Sequence, residues 1–392
     1  MIQNKNLTVL LTLKGRHFFT LRWLWHANRT KLPFPIYIAD GEPNTPISHI
    51  MEDPTLFPNL VIQYHRYNDK TFLDFYKKLE DALLKVKTRY VMFADNDDFL
   101  FPSGINKSIE FLDQSTDYVC AGGAISHFEI CKRNDVFLNL IGPIKALWFQ
   151  QRKAYQAYDL NDATASERVF EIYRKNLTVW YNVYKTEALH QMASEMVQFN
   201  FTELERCELF QKLRAASLGK IKSDRSYISY MRQIGTSSNL AAKGNFFDTL
   251  ANRKHAEETQ LIIKKVASAI ACNDDIHLAQ LEKKLEDIST EQLRVQLRQL
   301  LGWRSSIKSK FKKYIPTMLL QKTRFISDII TKGSNTAAGG SSISRQDLFQ
   351  QMADSGGPAT LLVEQKSDLA DMEATLNNKE MLDFIRLHMP IH

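Results

Sequence analysis

The stretch Tyr90-Val-Met-Phe-Ala-Asp-Asn-Asp-Asp-Phe-Leu100 decides how the rest of this chain is interpreted. Its first four residues, 90–93, have the β-branched and aromatic character of a buried strand. Three carboxylates then follow within four positions, at Asp95, Asp97 and Asp98, and we call them the acidic cluster. Like charges this close together destabilise a fold unless a cation offsets them, and hard oxygen ligands favour Mg²⁺ or Mn²⁺. The pattern therefore predicts a strand that ends in a metal site formed by Asp95 and Asp97.

A solvated acidic turn is the competing interpretation of the same residues. Asp and Asn are common in turns, and Asp-x-Asp is a short motif that occurs often by chance. The order of the elements upstream decides between the two, because it determines where in the fold the acidic cluster lies.

The composition sets broad limits on the function. The 392 residues are 44% hydrophobic and 11% aromatic, enough for one large domain and a smaller one. A net charge of +7 suits a phosphate-bearing ligand or an anionic surface and does not require nucleic acid. The four cysteines form no CxxC motif, so we expect reduced thiols. Because no segment approaches the ~18 apolar residues of a membrane span, we expect a cytoplasmic protein.

Short apolar strands alternate with amphipathic helices before the acidic cluster. Strands are predicted at 7–13, 36–39 and 60–64, and helices at about 18–28 and 71–86. This alternation predicts an α/β fold with a mostly parallel, Rossmann-like sheet flanked by helices. Ligands bind such sheets at the carboxyl ends of the strands, where Arg16, Asp40 and the acidic cluster all lie.

The same alternation continues after the acidic cluster. Helices are predicted at 103–112, 186–196 and 201–218, and strands at 118–122, 179–184 and 227–232. The aromatic-rich region 130–173 has no clean period, and we interpret it as an insertion that shapes an acceptor pocket. Glu205, Glu208 and Lys212 share one face of the helix 201–218, which is either a solvated face or a source of catalytic acids.

Three motifs in this order resemble the GT-A fold glycosyltransferases, in particular the glycosyltransferase family 2-like group of bacterial surface-polysaccharide enzymes. They are Thr12-Leu-Lys-Gly-Arg16, Ala39-Asp-Gly-Glu42 and Tyr90–Phe99, and the resemblance covers roughly 7–239. It implies that Asp40 contacts the nucleotide base and that Asp95-Asn96-Asp97 is the DxD motif that holds ribose and metal-diphosphate. The residues expected to bind the nucleotide-sugar are Thr12, Arg16, Asp40, Glu42, Lys78, Asp95, Asn96 and Arg232.

The resemblance also implies the reaction. A sugar would pass from a nucleotide-sugar donor to a hydroxyl of a growing cell-surface glycan or a lipid-linked acceptor, with inversion and with Mn²⁺ or Mg²⁺ as cofactor. The general base would be Glu205 or Glu208; both are candidates because Glu203-Leu-Glu-Arg-Cys-Glu208 replaces the family's Glu-Asp dipeptide. Arg232-Gln233 stands where the family often has a metal-binding histidine.

Three alternatives remain open. A retaining transferase on the same scaffold does not need either glutamate. A nucleotidyltransferase normally has a Gly-rich phosphate loop after its first strand, where this chain has only Lys14-Gly15-Arg16. A non-catalytic protein of this fold would instead use its helical C-terminal region to bind a membrane or a partner, and it would lack metal-dependent nucleotide binding.

The C-terminal third is predicted to be helical. After a catalytic domain at 1–245 comes a region at 246–332 with helices at 257–271, 276–288 and 290–301. Its segment 303–325 has seven Lys and Arg and no acid, which predicts docking on the anionic inner face of the cytoplasmic membrane; a solvated basic face over a buried stripe and a nucleic-acid patch are the alternatives. A Gly/Ser-rich linker at 333–344 leads to a helical tail at 345–392, which would pack on the body or form a homo-oligomer.

Overall fold

A computed structural model of the protein describes residues 6–131, 148–152, 157–202, 204–233, 253–274, 276–302, 366–376 and 379–388. The chain divides into two compact units, one made of Met1–Asp275 and Pro358–His392 and the other of Ile276–Gly357. The first unit is an α/β structure. The described part of the second unit contains one helix.

A ten-stranded sheet forms the centre of the first unit, with the strand order β3-β2-β1-β4-β9-β6-β10-β5 and with β7 and β8 paired to β6 and β10. The strands are β1 Leu7–Leu13, β2 Ile36–Asp40, β3 Ile62–Arg66, β4 Tyr90–Ala94, β5 Phe99–Leu100, β6 Tyr118–Cys131, β7 Trp148–Arg152, β8 Tyr158–Leu160, β9 Val183–Lys185 and β10 Lys220–Gln233. The helices are α1 His17–Arg29, α2 Ser48–Glu52, α3 Phe72–Lys85, α4 Pro102–Gln114, α5 Ala165–Lys175, α6 Thr186–Phe199, α7 Leu204–Leu218, α8 Arg253–Asp274, α9 Leu278–Gly302, α10 Lys366–Leu376 and α11 Lys379–His388.

The first four strands form a parallel block. Strand β1 pairs in parallel with β2 and β4, and β2 pairs in parallel with β3. This is the 3-2-1-4 order of doubly wound nucleotide-binding sheets, so the predicted α/β, Rossmann-like class is confirmed. The whole sheet is mixed, because β5, β7, β8 and β9 run antiparallel to their neighbours.

Burial explains why β1 and β4 are interior strands of the whole sheet, with a partner strand on each side. Leu7, Val9, Leu10 and Leu11 of β1 are fully buried, and all five residues of β4 are buried. Continuous apolar runs of this kind are typical of strands with both faces covered. A central position also brings the carboxyl ends of β1 and β4 next to each other.

The turn between β1 and α1 has an unusual backbone. Gly15 and Arg16 both adopt the left-handed conformation, with φ of 64° and 58°. Glycine accepts this conformation without strain, whereas a residue with a Cβ atom does not. Helix α1 begins immediately afterwards, at His17, so this turn aims the start of the helix at the end of β4.

The helix predicted in two parts at 276–288 and 290–301 is a single helix, α9. Ser289 separates the two predicted parts, but both flanking segments consist of strong helix formers, and the helix continues through it. The predicted basic segment 303–325, the linker 333–344 and the start of the tail lie outside the described residues. Within the described ranges, no helix has both the length and the apolarity needed to cross a bilayer.

The two tail helices belong to the first unit and pack on the rest of it. Met372 and Leu376 of α10 are buried in a cluster with Phe99, Phe128 and Met231. On α11, Met381 and Ile385 join the main core, and the Phe384 ring lies 5.9 Å from that of Phe57. The tail therefore adds to the hydrophobic core beneath the segment that follows the acidic cluster.

A polar contact reinforces this packing. His26 Nδ1 and Thr375 Oγ1 lie 2.6 Å apart, and because the threonine hydroxyl donates to the Asp371 carbonyl, the histidine nitrogen is the donor. Burial lowers the pKa of His26 to about 3, so the ring is neutral at physiological pH.

We expect Met372→Ala to lower the free energy of unfolding by about 2–4 kcal/mol, because it leaves a cavity among buried aromatic rings. Urea denaturation would measure this change. Leu387→Ala is the matched control, since Leu387 is 79% exposed on α11, and it should change stability by less than about 0.5 kcal/mol. Equal effects of the two substitutions would show that α10 does not pack as described.

Candidate functional site

The acidic cluster lies on the turn between β4 and β5, at the carboxyl end of the parallel block. One carboxylate oxygen from each of Asp95, Asp97 and Asp98 lies within 4.8 Å of the other two. Oxygen ligands on opposite sides of a divalent cation are about 4.2–4.8 Å apart when each bond is about 2.1–2.4 Å long. The spacing and the hard oxygen donors therefore fit a divalent cation.

Asp98 is the most deeply buried member of the cluster, with 1% of its surface exposed. Its Oδ1 accepts a 2.8 Å hydrogen bond from the Gln233 backbone N–H, and its Oδ2 has no hydrogen-bond partner among the described residues. Burial, followed by the charges of Asp97 and Asp95, raises the pKa of Asp98 well above its usual range. An unpartnered buried carboxylate oxygen is costly unless a cation or a proton satisfies it.

Two stacked tyrosines hold Asp95. Tyr181 and Tyr230 have ring centroids 4.1 Å apart. The Tyr181 hydroxyl donates to Asp95 Oδ2 over 2.7 Å, and the Asp95 backbone N–H donates to the Tyr230 hydroxyl over 3.0 Å. Burial, with a further contribution from the charge of Asp97, raises the pKa of the Asp95 carboxyl. The carboxylate is therefore oriented before any ligand arrives.

Three arginines surround the acidic cluster. Arg16 Nη2 donates to Asp97 Oδ2 over 2.6 Å. Arg22, which is 2% exposed, donates to the Asp97 backbone carbonyl over 2.7 Å and to Gln233 Oε1 over 2.8 Å. Arg232 lies over the Tyr181 ring, and its charge lowers the pKa of Asp95. With all groups ionised, the charges of the three carboxylates and the three guanidiniums sum to zero.

Arg22 remains charged at neutral pH despite its burial. Desolvation lowers its pKa to about 10, and the charges of Asp97 and Asp98 oppose that shift. A buried guanidinium that spans Asp97 and Gln233 fixes the turn against the end of β10. Arg22 thus positions the acidic cluster through the backbone carbonyl of Asp97.

Asn96 faces the helix rather than the cluster. It is 5% exposed, and its Nδ2 donates to Thr20 Oγ1 over 2.9 Å and to the Arg16 backbone carbonyl over 3.3 Å. The amide therefore joins the turn after β4 to the start of α1.

Asp40 forms a second polar centre at the end of β2. Its Oδ2 accepts from Thr45 Oγ1 over 2.6 Å and from the Tyr64 hydroxyl over 3.0 Å, and its Oδ1 accepts from the Glu42 N–H over 3.0 Å. Glu42 also pairs with His17 Nε2 over 3.0 Å. Because His17 follows Arg16 directly, this pair links the Asp40 loop to the acidic cluster.

Lys78 lies buried beneath the Asp40 loop. Its ammonium donates to Asp69 Oδ2 over 2.5 Å and to the Leu13 carbonyl over 3.1 Å. Burial lowers the pKa of Lys78, and the charge of Asp69 opposes the shift. A Cβ atom on Gly41 would lie 2.1 Å from Asp69 Oδ2, so only glycine leaves room for this ion pair.

We expect Asp69→Asn to destabilise the fold by about 3 kcal/mol, because it leaves the Lys78 ammonium buried without its counter-charge. Urea denaturation would measure the change. Glu171→Gln is the matched control: it breaks a half-exposed pair with Lys175 and should cost less than about 1 kcal/mol. A small effect of Asp69→Asn would contradict the structural role assigned to the ion pair.

Helix α7 contributes Glu208. The residue is exposed as a whole, and the charge of its carboxylate interacts with those of Arg232 and Asp95. Partial desolvation raises the pKa of Glu208, Arg232 lowers it, and Asp95 and Glu205 raise it. Glu205 lies one turn earlier on α7 and is also exposed. Glu208 thus interacts electrostatically with Asp95 of the acidic cluster.

The structure thus brings most of the sequence-predicted residues to one edge of the sheet. Arg16, Asp95, Asn96 and Asp97 lie together there, Arg232 and Glu208 lie within electrostatic range, and Asp40, Glu42 and Lys78 form the adjoining loop site. Thr12 lies near the end of β1, opposite Ala39 of β2.

Sequence reasoning missed Arg22, Tyr181 and Tyr230 as parts of the site, and it did not include Asp98 among the metal ligands. One signal for Arg22 was available, since a charged residue stands between Leu21 and Trp23 on the apolar face of a predicted helix. The tyrosines gave no such signal, because aromatic residues are common in strands.

No protein-family model matches the sequence, and no curated protein matches it. Among solved structures the chain is similar to S. aureus TarS, at 13% identity over 73% of this chain with a TM-score of 0.44, and it spans 43% of that chain. For TarS 1-349 in complex with UDP-GlcNAc, the identity is 14% over 78% of this chain and 77% of that one, with a TM-score of 0.46. For TarS 1-349 in complex with UDP, the identity is 11% over 99% of this chain and 93% of that one, with a TM-score of 0.43. Similarity this distant transfers neither residue roles nor a substrate to this chain.

Proposed function

We propose that this chain is a glycosyltransferase that moves a sugar from a nucleotide-sugar donor to a hydroxyl of a glycan acceptor, with Mn²⁺ or Mg²⁺ as cofactor. The observation that carries the proposal is the meeting of three carboxylates and three guanidiniums at the carboxyl end of β4. In doubly wound sheets this edge is where nucleotides bind.

The charge balance favours a metal-bound diphosphate. With all groups ionised and with Glu208 left out of the count, the acidic cluster and the three arginines are neutral together, so a divalent cation would leave two positive charges. A nucleotide-sugar carries two negative charges on its diphosphate, and the complete assembly would again be neutral. A nucleotide without a cation, or a cation without an anion, would leave the site charged, and charge in a partly buried site is unfavourable.

Asp95, Asp97 and Asp98 would hold the cation, which would neutralise charge on the leaving nucleoside diphosphate. Neighbouring protein groups keep these carboxylates in place. Tyr181 orients the Asp95 carboxylate, and Arg22 fixes the backbone at Asp97. We further propose that Asp40 and its hydrogen-bonded loop bind the base of the nucleotide, because this loop lies beside the acidic cluster at the same edge.

Glu208 is the proposed general base. Its carboxylate would take the proton of the acceptor hydroxyl while that oxygen bonds to the anomeric carbon and the bond from this carbon to the diphosphate oxygen breaks. A carboxylate whose pKa is raised is a better base than an ordinary one, provided that the pH is high enough to ionise it. A single displacement of this kind inverts the configuration at the anomeric carbon.

Donor hydrolysis tests the proposal without knowledge of the acceptor. Water can replace the acceptor slowly, so the purified protein would be incubated with a panel of nucleotide-sugars and Mn²⁺, and the released nucleoside diphosphate would be measured. We expect hydrolysis of one class of donor, abolished by EDTA and restored by Mn²⁺. The proposal would be abandoned if no donor were bound or hydrolysed, and the non-catalytic interaction protein would then be the better account.

A further inference from the structure

Arg16 bonds to one oxygen of the Asp97 carboxylate, which the proposed cation would need. Its Nη2 lies 2.6 Å from Asp97 Oδ2, a short, charge-assisted hydrogen bond. A carboxylate oxygen bonded in this way is a weaker metal ligand, because its charge is already offset and its position is taken. The protein thus supplies a counter-ion of its own at the proposed metal site.

The backbone of Arg16 is fixed. The residue is left-handed, with φ of 58° and ψ of 41°. Its carbonyl accepts hydrogen bonds from the Phe19 N–H over 3.0 Å and from Asn96 Nδ2 over 3.3 Å. A strained conformation at a residue with a Cβ atom persists only where its surroundings hold it, and such residues are common at functional sites. Any change at Arg16 must therefore come from its side chain.

The side chain of Arg16 is in a position to move, whereas that of Arg22 is not. The Arg16 guanidinium rests on the Phe19 ring, 4.6 Å from its centroid, and 24% of the side chain is exposed. The Arg22 guanidinium is buried between two oxygen acceptors. The two arginines therefore have different roles. The buried Arg22 fixes the turn, and the partly exposed Arg16 side chain is accessible to a ligand.

We propose that Arg16 is a switch that couples binding of the cation to binding of the donor, an inference that rests on the proposed function. Without donor, Arg16 neutralises Asp97. When a nucleoside diphosphate group arrives with a divalent cation, the guanidinium leaves Asp97 for the diphosphate, and Asp97 is released to bind the cation. Each ligand then strengthens the binding of the other by the same factor, as thermodynamic linkage requires.

Mn²⁺ binding measured by electron paramagnetic resonance tests the switch. Free Mn²⁺ would be titrated against the wild-type protein and Arg16→Gln, first alone and then with UDP, GDP, CDP, ADP or dTDP in turn. Arg16→Gln should bind Mn²⁺ alone about fivefold more tightly than the wild type, because the competing hydrogen bond is lost at a partly exposed site. The strengthening of Mn²⁺ binding by the nucleoside diphosphate should fall by at least about fivefold in the same variant.

Arg29→Gln is the matched control, since Arg29 is an exposed arginine on the same helix, lying over Trp25. It should leave both Mn²⁺ affinities unchanged. If Arg16→Gln proved unstable, Arg16→Gly would remove the guanidinium and relieve the left-handed strain together, so a folded variant without the charge remains available.

The outcomes separate this inference from the proposed function. Unchanged or weaker binding of Mn²⁺ alone in a folded Arg16 variant would overturn the switch, even if the wild type binds donor and metal. Undiminished coupling in that variant would also overturn it. If the wild type binds neither Mn²⁺ nor any of the five nucleotides, the proposed function itself fails, and the switch fails with it.

Discussion

Replacing Asp97 by alanine is expected to lower kcat/KM for donor turnover by about 10³-fold, or about 4 kcal/mol of transition-state stabilisation. Asp97 lies at the centre of the site: its carboxylate pairs with Arg16, and its charge raises the pKa of both Asp95 and Asp98. Without it, the remaining carboxylates hold a cation poorly, and Arg16 loses its partner. Steady-state release of nucleoside diphosphate would measure the loss.

The substitution should leave the fold intact. Arg22 bonds to the backbone carbonyl of Asp97, and a change of side chain does not remove that bond. Asp117→Ala serves as the matched control because Asp117 is an exposed carboxylate paired with Lys220, and its activity should stay within about twofold of the wild type. Activity of folded Asp97→Ala within about tenfold of the wild type would rule out the metal-site account.

Glu208→Gln is expected to lower kcat for transfer to an acceptor by about 10²–10³-fold while the affinity for nucleoside diphosphate changes little. The amide keeps the size of the side chain and cannot accept the proton of the acceptor hydroxyl. Rapid-quench or steady-state kinetics with a glycan acceptor would measure kcat, and calorimetric titration would measure the affinity. Glu205→Gln is the matched control and should stay within about threefold of the wild type.

The pH profile gives an independent check on Glu208. Its pKa is raised, so the carboxylate becomes protonated at a higher pH than an ordinary glutamate would. Activity of the wild type should therefore rise with pH through that pKa and fall on acidification. The part of the acid limb that comes from Glu208 should disappear in Glu208→Gln, and any part that comes from Asp95 and Asp98 should remain. If Glu205→Gln lost activity instead, the base would be Glu205, and if neither variant lost activity, a retaining mechanism would replace the inverting one.

The alternation of strands and helices was predictable because it is encoded locally. Strand β1 has its predicted bounds, and α3 begins one residue after Thr71, whose side chain forms a capping box with Asp74. Strand β3 lies two residues later than predicted, at Ile62–Arg66. Its outward-facing polar residues resemble a loop in sequence, and pairing with β2 makes them a strand.

Longer-range features were not predictable. Strands β6 and β10 are each 14 residues long, far beyond the short runs at 118–122 and 227–232. They pair with each other in parallel through irregularities in register, and these depend on the partner strand rather than on local propensity. Conversely, only residues 183 and 184 of the predicted strand 179–184 lie in β9, which continues to Lys185, and Tyr181 before it donates to Asp95.

The residue types of the candidate site were predictable from the sequence, whereas the contacts between its side chains were not. Acids and bases that follow strand ends identify the correct edge of a parallel sheet. That Arg16 reaches Asp97 requires β1 and β4 to be neighbours, although 81 residues separate the two side chains in sequence. The packing of the tail helices on α1 likewise joins His26 to Thr375, 349 residues away, through a contact that no local pattern encodes.

The central claim is that the acidic cluster binds a nucleoside diphosphate together with a divalent cation. Isothermal titration of the wild-type protein with UDP, GDP, CDP, ADP and dTDP, each with and without Mn²⁺, tests it most directly. The account predicts that at least one of the five binds with Mn²⁺ and at least about tenfold more weakly without it, a coupling of about 1.4 kcal/mol. Equal binding with and without the cation, or no binding of any nucleotide, would contradict it.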